Sequence, residues 1–522
     1  MARIAVIGSG MGAMAAAARL AVAGHRVVVY ERGRTHGGGV GRFERDGFRF
    51  DTGPGLLHLP AVYRDLFVKT GKQTLEQSVE LVQVDPASRH LFADGTDVRL
   101  PNASRAGVLQ ALDGAFGAGA GERWSDLVNR AREVWDATRR PLLEEPLRAD
   151  WRVLGRDPYP AAPVRRGWLG GLFGRGGADG PPTLAGVARR ELGDPRAAAL
   201  LESHALAHGL DPRSAPAAAT VLPYIEQTFG TWYVRGGMRA LADALHERCR
   251  QRKVEFHFEA EVTGIVEKDG RAAGVELADG TVAEADAVVS GTDPALLPPL
   301  LGGQEPWRAE DVRPEPGAGG GAPGRLTVFL ALRGARPGDT AHRTVVHTPD
   351  REAELTAVFG DGHGDGHGLR EPCAHPTVTV LRPDDPAVRP DEDHEAVTLT
   401  AVVAPHGPVD WTDGAAAEQD AQRLITAAEA AIPGLRDRIL WHEVRTPADT
   451  GAETGARGGG VPGPALAGAD GAFLRPANVT RVPGLYLAGG WAHPGGGLAH
   501  AGMSGALVAG LIVEGEDWRG SQ

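Results

Sequence analysis

The chain has 522 residues, of which 42% are hydrophobic and 23% are charged, and its formal net charge is −12. These proportions are ordinary for a globular protein, and the length predicts two or three domains. An acidic chain without an evident basic face is poorly suited to phosphate backbones, so we expect no nucleic-acid partner. The two cysteines, Cys249 and Cys373, have no neighbouring His or Cys cluster, which favours free thiols in a reducing compartment and predicts no metal site.

The chain opens on a predicted strand at 3–7, a glycine-rich turn and an alanine-rich helix. A second strand follows at 26–30 and ends beside Glu31. This order is typical of dinucleotide-binding proteins, because helix N-terminal amides attract a pyrophosphate and the terminal acid accepts from an unphosphorylated ribose. It favours FAD or NAD over NADP, with a glycine turn that binds no ligand as the alternative. The predicted contacts are Gly8, Gly10, Met11, Gly12, Ala13, Glu31 and Arg32.

A second glycine segment, GGGVGRFERDGFRFDTGP, covers 37–54. It resembles the second glycine motif of the two-domain flavoproteins of the amine oxidase and phytoene desaturase superfamily. In those proteins the segment passes close to the phosphate and ribityl chain of the flavin. The resemblance implies FAD as the cofactor and adds Gly38, Gly39, Gly53 and Pro54 to the predicted contacts. Many relatives carry Lys or Arg where this chain has Gly39, so one phosphate contact is open, and Arg42 is the candidate substitute.

Three further stretches resemble the bacterial phytoene desaturase family. They are LPAVYRDLF (59–67), PYIEQTFGTWYVRGGMRALADAL (223–245) and GLYLAGGWAHPGGG (484–497), so the resemblance covers most of the chain. That family contains FAD-dependent carotenoid desaturases and related isoprenoid oxidoreductases. The second and third stretches together are specific to it, whereas generic amine oxidases share only the N-terminal motif and the fold.

The pattern over 237–294 predicts a helix, a strand, a hairpin and a strand, with Asp-Gly turns at 269–270 and 279–280. The resemblance implies that this piece rejoins the flavin domain and that the backbone of Val262 contacts the adenine end. A plain structural hairpin also fits these strands.

The predicted fold class is α/β, with a discontinuous Rossmann-like FAD-binding domain and an α+β substrate domain. The FAD-binding domain is predicted to comprise 1–80, 231–296 and 476–522. The substrate domain is predicted to comprise 81–230 and 297–475.

The C-terminal segment combines an apolar strand (485–488), many glycines and a small-residue helix predicted from about Ala501. The resemblance implies that it returns to the nucleotide-binding domain and closes the flavin site. Helix N-terminal amides and bare glycine backbone suit a flat cofactor. The predicted contacts here are Gly489, Gly490, Gly496 and Gly497. His493 either orients the flavin or contacts substrate, or it is a loop histidine bonded to backbone.

The segment 164–177, VRRGWLGGLFGRGG, places aromatic and aliphatic residues between arginines. That mixture suits a membrane interface, and a surface loop is the alternative. The N-terminus lacks the long apolar stretch of a signal peptide, and no run of about 18 apolar residues occurs. We therefore expect a cytoplasmic protein, with peripheral contact to the inner face of the cell membrane as a hypothesis.

The resemblance implies an FAD-dependent enzyme that removes hydride and proton from an acyclic polyene, phytoene or a later carotenoid, and so extends its conjugation. The flavin carries the chemistry, so the catalytic residue is left unassigned. Glu226 is a candidate for proton removal, although a structural salt bridge fits it better. Tyr224, Trp232 and Tyr233 are candidates to line the site. The electron acceptor is oxygen or a quinone.

Two other functions stay open at this point. One is an FAD-dependent oxidase or isomerase acting on a non-carotenoid substrate. An amine oxidase would need an aromatic cage, and the low aromatic content of 6% speaks against it. The other is a non-enzymatic isoprenoid-binding escort, which the intact glycine motifs and Glu31 disfavour.

Overall fold

The computed structural model describes residues 1–160, 182–308, 311–312, 321–361 and 370–520. The strands in this part of the chain are β1 (Arg3–Ile7), β2 (Arg26–Tyr30), β3 (Arg42–Arg45), β4 (Phe48–Asp51), β5 (Leu81–Gln83), β6 (Ser88–Leu91), β7 (Asp97–Leu100), β8 (Trp232–Val234), β9 (Glu255–His257), β10 (Val262–Lys268), β11 (Arg271–Leu277), β12 (Val282–Glu284), β13 (Ala287–Ser290), β14 (Gly324–Arg333), β15 (Arg343–Val346), β16 (Val378–Leu381), β17 (His394–Val403), β18 (Ile439–Arg445) and β19 (Leu485–Leu487). The helices are α1 (Met11–Val22), α2 (Ala61–Thr70), α3 (Arg105–Phe116), α4 (Ala120–Arg139), α5 (Leu184–Leu192), α6 (Pro195–Ala207), α7 (Val221–Phe229), α8 (Arg239–Gln251), α9 (Leu297–Leu300), α10 (Arg351–Phe359), α11 (Gly414–Ala428), α12 (Leu435–Arg438), α13 (Pro447–Thr454) and α14 (Leu498–Glu514).

A parallel sheet of order β19-β13-β1-β2-β9 forms the nucleotide-binding core. Its inner strands are short apolar runs, and β13 and β19 are buried along their whole length. Runs of this kind suit a parallel sheet that is covered on both faces. The five strands come from three separate stretches of the chain, and their carboxyl ends meet at one edge. That edge is where α/β sheets of this kind bind ligands.

Helices α1 and α14 pack against each other unusually closely, because glycines face glycines at the contact. A Cβ added at Gly505 of α14 would lie 2.4 Å from the carbonyl oxygen of Gly12. A Cβ added at Gly12 would lie 2.5 Å from the Cα of Gly489. The alanine-rich composition of α1 serves the same end, since Ala15 and Ala16 are fully buried there. The C-terminal segment is thereby fixed against the N-terminal glycine turn.

The second large sheet of the protein is mixed and has the strand order β18-β14-β17-β16-β15-β6-β7. Its pairs are antiparallel except for β15 with β6. The long apolar strand β14 lies inside this sheet, and α11 packs over it. Helices α3 to α7 build a separate apolar core beside it. Helices and antiparallel strands are thus segregated here, which is the α+β arrangement.

The predicted fold class, a Rossmann-like sheet with an α+β companion, is confirmed. The predicted strands at 3–7 and 26–30 match β1 and β2, and the predicted hairpin is β10 and β11. The C-terminal helix begins at Leu498 rather than near Ala501, so its first turn is closer to the glycines than expected. The predicted domain bounds stay a prediction, and β5 pairs with β8 across one of them.

One prediction on a surface segment remains open. The proposed membrane segment 164–177 lies outside the described residues. Among the residues that are described, no helix combines the length and apolar composition needed to cross a bilayer.

Candidate functional site

The glycine turn after β1 leaves the N-terminus of α1 open. Gly8 has a φ of +84°, a left-handed conformation that favours glycine, and its amide donates to the Tyr30 carbonyl at 2.8 Å. Gly10 is the N-cap of α1, and no side chain caps the helix. A Cβ added at Gly10 would meet no atom within 4 Å. The amides of the first turn therefore face open space and keep their capacity to bind an anion.

The next two small residues are required by protein packing. Gly12 lies against the Cα of Gly489, and a Cβ added at Gly291 would lie 2.9 Å from the Cβ of Ala13. The Met11 side chain is also buried. The small size of Gly12 and Ala13 is therefore explained by contacts within the protein.

The carboxylate of Glu31 is held at the end of β2, beside the glycine turn. One oxygen accepts from the amide and the hydroxyl of Ser9 at 2.8 and 2.7 Å, and the other accepts from the Gly33 amide at 2.7 Å. These bonds orient the acid without using all of its lone pairs. The carbonyl of Glu31 accepts from Ala260, which brings Val262 near the same strand end. The neighbouring Arg32 turns aside and donates to the carbonyl of Ala452 at 2.6 Å.

The second glycine segment lies directly on the first. The Gly37 amide donates to the Ser9 carbonyl at 2.9 Å, and a Cβ added at Gly38 would lie 3.1 Å from the Cα of Gly10. A Cβ added at Gly39 would meet nothing within 4 Å, so this position faces open space as Gly10 does. Gly53 supports the segment from behind, since its Cβ would lie 2.0 Å from the Gly39 carbonyl oxygen.

The two remaining predicted contacts of this region lie at its rim. Gly53 and Pro54 are exposed, and Gly53 borders an open pocket that Arg42 also lines. The guanidinium of Arg42 pairs with Glu44 at 3.2 Å and lies 3.7 Å from a carboxylate oxygen of Asp243. Its substitute role stays a prediction.

The C-terminal glycines fall into two groups. A Cβ added at Gly490 would lie 3.1 Å from the Cγ of Pro462. A Cβ added at Gly496 would lie 1.7 Å from the carbonyl oxygen of Pro462. These two glycines let the chain pack against its own neighbour. Gly497 is exposed, has a φ of +105° and is the N-cap of α14, which no side chain caps. A second helix N-terminus therefore opens at this site.

A buried polar network holds the C-terminal segment in place. Ser504 accepts from the Gly489 amide at 3.0 Å and from the side-chain amide of Asn478 at 3.1 Å. The same amide nitrogen also lies 3.0 Å from the Leu487 carbonyl oxygen and 2.8 Å from that of His493, so its two hydrogens are shared among three acceptors. The His493 ring is fully buried, and its Nε2 lies 2.9 Å from the Glu145 carbonyl oxygen. Burial lowers the pKa of His493 to about 4, so the ring is neutral at neutral pH.

Together these residues fit a flavin dinucleotide. Open space lies in front of Gly10 and Gly39, an oriented carboxylate stands at the end of β2, and the uncapped N-termini of α1 and α14 accompany the glycine segments. A pyrophosphate matches the first helix end, and a ribose hydroxyl matches Glu31. The individual contacts remain predictions.

Several basic side chains lie deep in the protein beside this site and still keep accessible surface. Burial lowers the pKa of His208 to about 3, that of His500 to about 4 and that of Arg475 to about 10. All three are nevertheless partly accessible. His500 is in the first turn of α14, so it lies at the helix N-terminus of the flavin site.

Glu226 is buried and paired. Both of its oxygens contact the guanidinium of Arg343, one of them at 3.2 Å from Nη1. His204 Nε2 lies 3.9 Å from Oε2. Although burial raises the pKa of Glu226, the charge of Arg343 outweighs burial and holds it well below its usual range. Glu226 is therefore an ionised group with a weak affinity for a proton.

His58 completes this group. Like Arg343 and His204, it was absent from the sequence-based candidates. Burial lowers the pKa of His58, the nearby Glu226, Arg343 and His204 also affect that pKa, and Nδ1 of His58 is buried without a hydrogen-bond partner. We call these four residues the Glu226 cluster. They come from α7, β15, α6 and the loop between β4 and α2. No spacing in the sequence could have brought them together.

The aromatic candidates lie in different surroundings. Tyr224 is buried among the rings of Trp135 and Phe229. Trp232 pairs through its backbone with Leu57, and Tyr233 donates to Asp385 at 2.9 Å beside the pocket that Gly53 borders. Their roles toward substrate stay predictions.

Comparison with known proteins identifies the class. The family model described as flavin-containing amine oxidoreductase matches residues 14–317, which is more than half of the chain. The chain belongs to this family, and it is an FAD-dependent oxidoreductase. The fold agrees, since a putrescine oxidase structure matches with a TM-score of 0.62 at 15% identity, over 98% of this chain and 99% of the other.

Two curated relatives are similar over almost the whole chain. A 4,4'-diapolycopene oxygenase of Methylomonas sp is 29% identical and is covered over 98% of both chains. A hydroxyneurosporene desaturase of Rhodobacter capsulatus is 29% identical over 98% of this chain and 97% of its own. The predicted resemblance to carotenoid desaturases is thereby confirmed.

Proposed function

We propose that this protein is an FAD-dependent desaturase that acts on an acyclic polyene, phytoene or a later carotenoid, and introduces a further conjugated double bond. The observation that carries the proposal is the similarity over 98% of the chain to enzymes named for such polyenes. The fit of the glycine segments, Glu31 and the two helix N-termini to a flavin dinucleotide supports it.

When bound, FAD supplies the acceptor for the hydride that leaves a saturated C–C unit. The residues of the chain bind and orient. The amides at the N-terminus of α1 hold the pyrophosphate, Glu31 holds the ribose, and the segment from Gly489 to Gly497 encloses the ring end. We place the polyene beside the first turn of α14, where the surrounding protein would align it and exclude water from the reacting bond.

We assign Glu226 a positioning role rather than proton removal. Arg343 contacts both of its oxygens, and the lowered pKa makes the carboxylate a poor proton acceptor. The catalytic base is left unassigned.

The electron acceptor and the source of the substrate are part of the proposal. A polyene of this length dissolves in lipid rather than in water, so we propose that the protein takes it from a membrane surface through 164–177. Deleting 165–175 is expected to abolish binding to liposomes.

Supplying either oxygen or a quinone to the reduced enzyme under controlled atmosphere identifies the electron acceptor.

Pigment analysis tests the proposed reaction. The chain is co-expressed in hosts that accumulate phytoene, neurosporene or hydroxylated neurosporene, and the pigments are separated by chromatography. A product with a longer chromophore in at least one host is expected, and a Glu31→Ala variant with reduced FAD content serves as the control. No change in any host, with FAD bound to the purified protein, would refute desaturation of carotenoids.

A further inference from the structure

The open pocket that Gly53 borders lies between the second glycine segment and the large mixed sheet, and we call it the Gly53 pocket. One wall comes from the chain that follows β4, with Gly53 and Gly55. Another wall comes from β16 and β17, with Leu381, Thr398 and Thr400. Residues from both predicted domains therefore meet at this pocket, and such junctions are common ligand sites.

The Gly53 pocket is next to the proposed cofactor site. A Cβ added at Gly53 would lie 2.0 Å from the carbonyl oxygen of Gly39, so the two residues are in direct contact. Gly39 also faces the open space that we assign to FAD, since its own added Cβ would meet nothing within 4 Å. A molecule bound in the pocket would therefore be close to the cofactor without taking its place.

Three polar side chains of the pocket are free to bind a ligand. Within the described part of the chain, no hydrogen bond engages the hydroxyls of Thr398 and Thr400 or the ring nitrogens of His342, and all three residues are partly accessible. Burial lowers the pKa of His342 to about 3, so its imidazole is neutral and has one N–H donor and one acceptor nitrogen. Each threonine hydroxyl likewise donates and accepts.

The charged groups of the pocket are already engaged. Arg42 and Arg49 both pair with Glu44, at 3.2 and 3.4 Å. Asp51 accepts from two backbone amides at the start of α8, at 2.7 and 3.0 Å. An ionic ligand would have to compete with these contacts, so the pocket suits an uncharged molecule.

The free groups suit a ligand whose oxygens change from acceptors to donors. A quinone has two carbonyl acceptors, and its reduced form, a quinol, has two hydroxyls that also donate. Neutral imidazole and threonine hydroxyl bind both forms, because each donates to a carbonyl and accepts from a hydroxyl. The apolar side chains of Phe50, Leu381 and Val388 supply surface for the ring.

We propose that the Gly53 pocket binds a quinone that reoxidises the flavin, at a site separate from that of the polyene. This inference rests on the proposed function, which supplies the reduced flavin. The quinone gains two electrons and two protons and leaves as the quinol, while the reduced flavin loses the same two electrons and two protons. Thr398 and Thr400 donate to one carbonyl oxygen, and His342 donates to the other. β16 lies between β15 and β17, so these two sets of donors belong to chain segments about 10 Å apart.

Flavin reoxidation tests the site without any carotenoid. The purified holoenzyme is reduced with stoichiometric dithionite under anaerobic conditions and mixed with menadione, and the return of flavin absorbance is followed by stopped flow. The rate is expected to saturate with menadione concentration. In Thr398→Val/Thr400→Val the half-saturating concentration is expected to rise about 10-fold or more, since each lost hydrogen bond weakens binding about 3- to 10-fold. Reoxidation by oxygen is expected to keep its wild-type rate, because oxygen needs neither hydroxyl.

Thr379 offers a matched control. It pairs with Thr400 across β16 and β17 and is also partly accessible, but it does not line the pocket. Thr379→Val is expected to keep the wild-type half-saturating concentration, whereas His342→Leu is expected to raise it about 3- to 10-fold. FAD content and melting temperature are measured for every variant, and Thr398→Val alone replaces the double variant if that does not fold.

The possible results distinguish the quinone site from the proposed function. A wild-type rate that increases linearly with menadione, threonine variants that saturate as the wild type does, or an equal effect of Thr379→Val would overturn the quinone site. A polyene supplied in liposomes should leave the half-saturating menadione concentration unchanged, and competition between the two would overturn their separation. Saturable reoxidation in a protein that converts no carotenoid would refute desaturation and leave the quinone site in place.

Discussion

Two glycines that are two residues apart in the N-terminal turn are predicted to respond in opposite ways to the same substitution. Gly10 faces open space, since an added Cβ would meet nothing within 4 Å. Gly12 faces protein, since its Cβ would lie 2.5 Å from the Cα and 2.7 Å from the amide nitrogen of Gly489. Gly10→Ala therefore tests whether a cofactor occupies the open space at Gly10. Gly12→Ala tests whether protein packing requires a residue without a side chain at Gly12.

The magnitudes follow from these distances. In Gly12→Ala the methyl group overlaps backbone that cannot rotate away, so α1 and α14 must separate. Overpacking of this kind costs about 1–3 kcal/mol in free energy of unfolding. Gly10→Ala introduces no overlap and has a φ of −68° that alanine adopts freely, so its effect on the apoprotein should stay within about 0.5 kcal/mol. Its methyl group instead occupies the space in front of the helix amides and should weaken FAD binding about tenfold or more.

The assay compares apoprotein and holoprotein. FAD is removed by dialysis against concentrated halide, apoprotein stability is measured by thermal unfolding, and FAD affinity is measured by quenching of flavin fluorescence. Gly12→Ala should lower the melting temperature of the apoprotein, and Gly10→Ala should not. Wild-type FAD affinity in Gly10→Ala would refute the placement of the pyrophosphate, and an unchanged apoprotein in Gly12→Ala would refute the packing argument.

Three further substitutions test the site and its support. Glu31→Gln should weaken FAD binding about tenfold in a fluorescence titration, because an amide nitrogen cannot accept from Ser9 or ribose. Ser504→Ala should lower stability by about 1–3 kcal/mol in thermal unfolding, because the Gly489 amide loses its acceptor. Burial raises the pKa of Glu354 to about 7 from 4.5, so its contribution to stability is full below pH 4.5 and is lost as pH rises through 7. Glu354→Gln should therefore remove about 3 kcal/mol of pH dependence in this window, seen as a flatter melting temperature between pH 5 and about 8.

Matched controls accompany two of these predictions. Glu255→Gln changes an exposed acid at the neighbouring strand β9 and should leave FAD affinity unchanged. Ser203→Ala removes a hydroxyl that bonds only within α6, to the Leu200 carbonyl, and should alter stability by less than Ser504→Ala. Equal effects of the two serine variants would contradict the role of the Ser504 network.

The parts of the fold that sequence predicted well are local. β1, its glycine turn, α1 and β2 are contiguous, and the pattern of apolar runs and glycines specifies them without distant partners. The Asp-Gly turns predicted the β10–β11 hairpin for the same reason. The start of α14 was misplaced because the residues before Ala501 have no capping side chain, and the helix is instead continued by packing against α1 and Tyr63, whose hydroxyl donates to Leu498.

Glycine roles illustrate where local reasoning ends. The sequence identified Gly10, Gly12, Gly490 and Gly496 alike as positions where backbone approaches a ligand. Their neighbours differ in the structure, because Gly12 lies against Gly489 and the two C-terminal glycines lie against Pro462. A glycine in the sequence does not show whether a cofactor or another segment of the chain occupies the space beside it.

The sequence by itself determined the class of cofactor, because dinucleotide binding needs a short run of residues in a fixed local order. It also determined the α/β character of the chain. Only the tertiary structure brought Glu226, Arg343, His204 and His58 together, since they come from four separate elements of the chain. The ionised Glu226 and Arg343 attract each other through space, and no pattern that a sequence motif could carry places these four groups side by side.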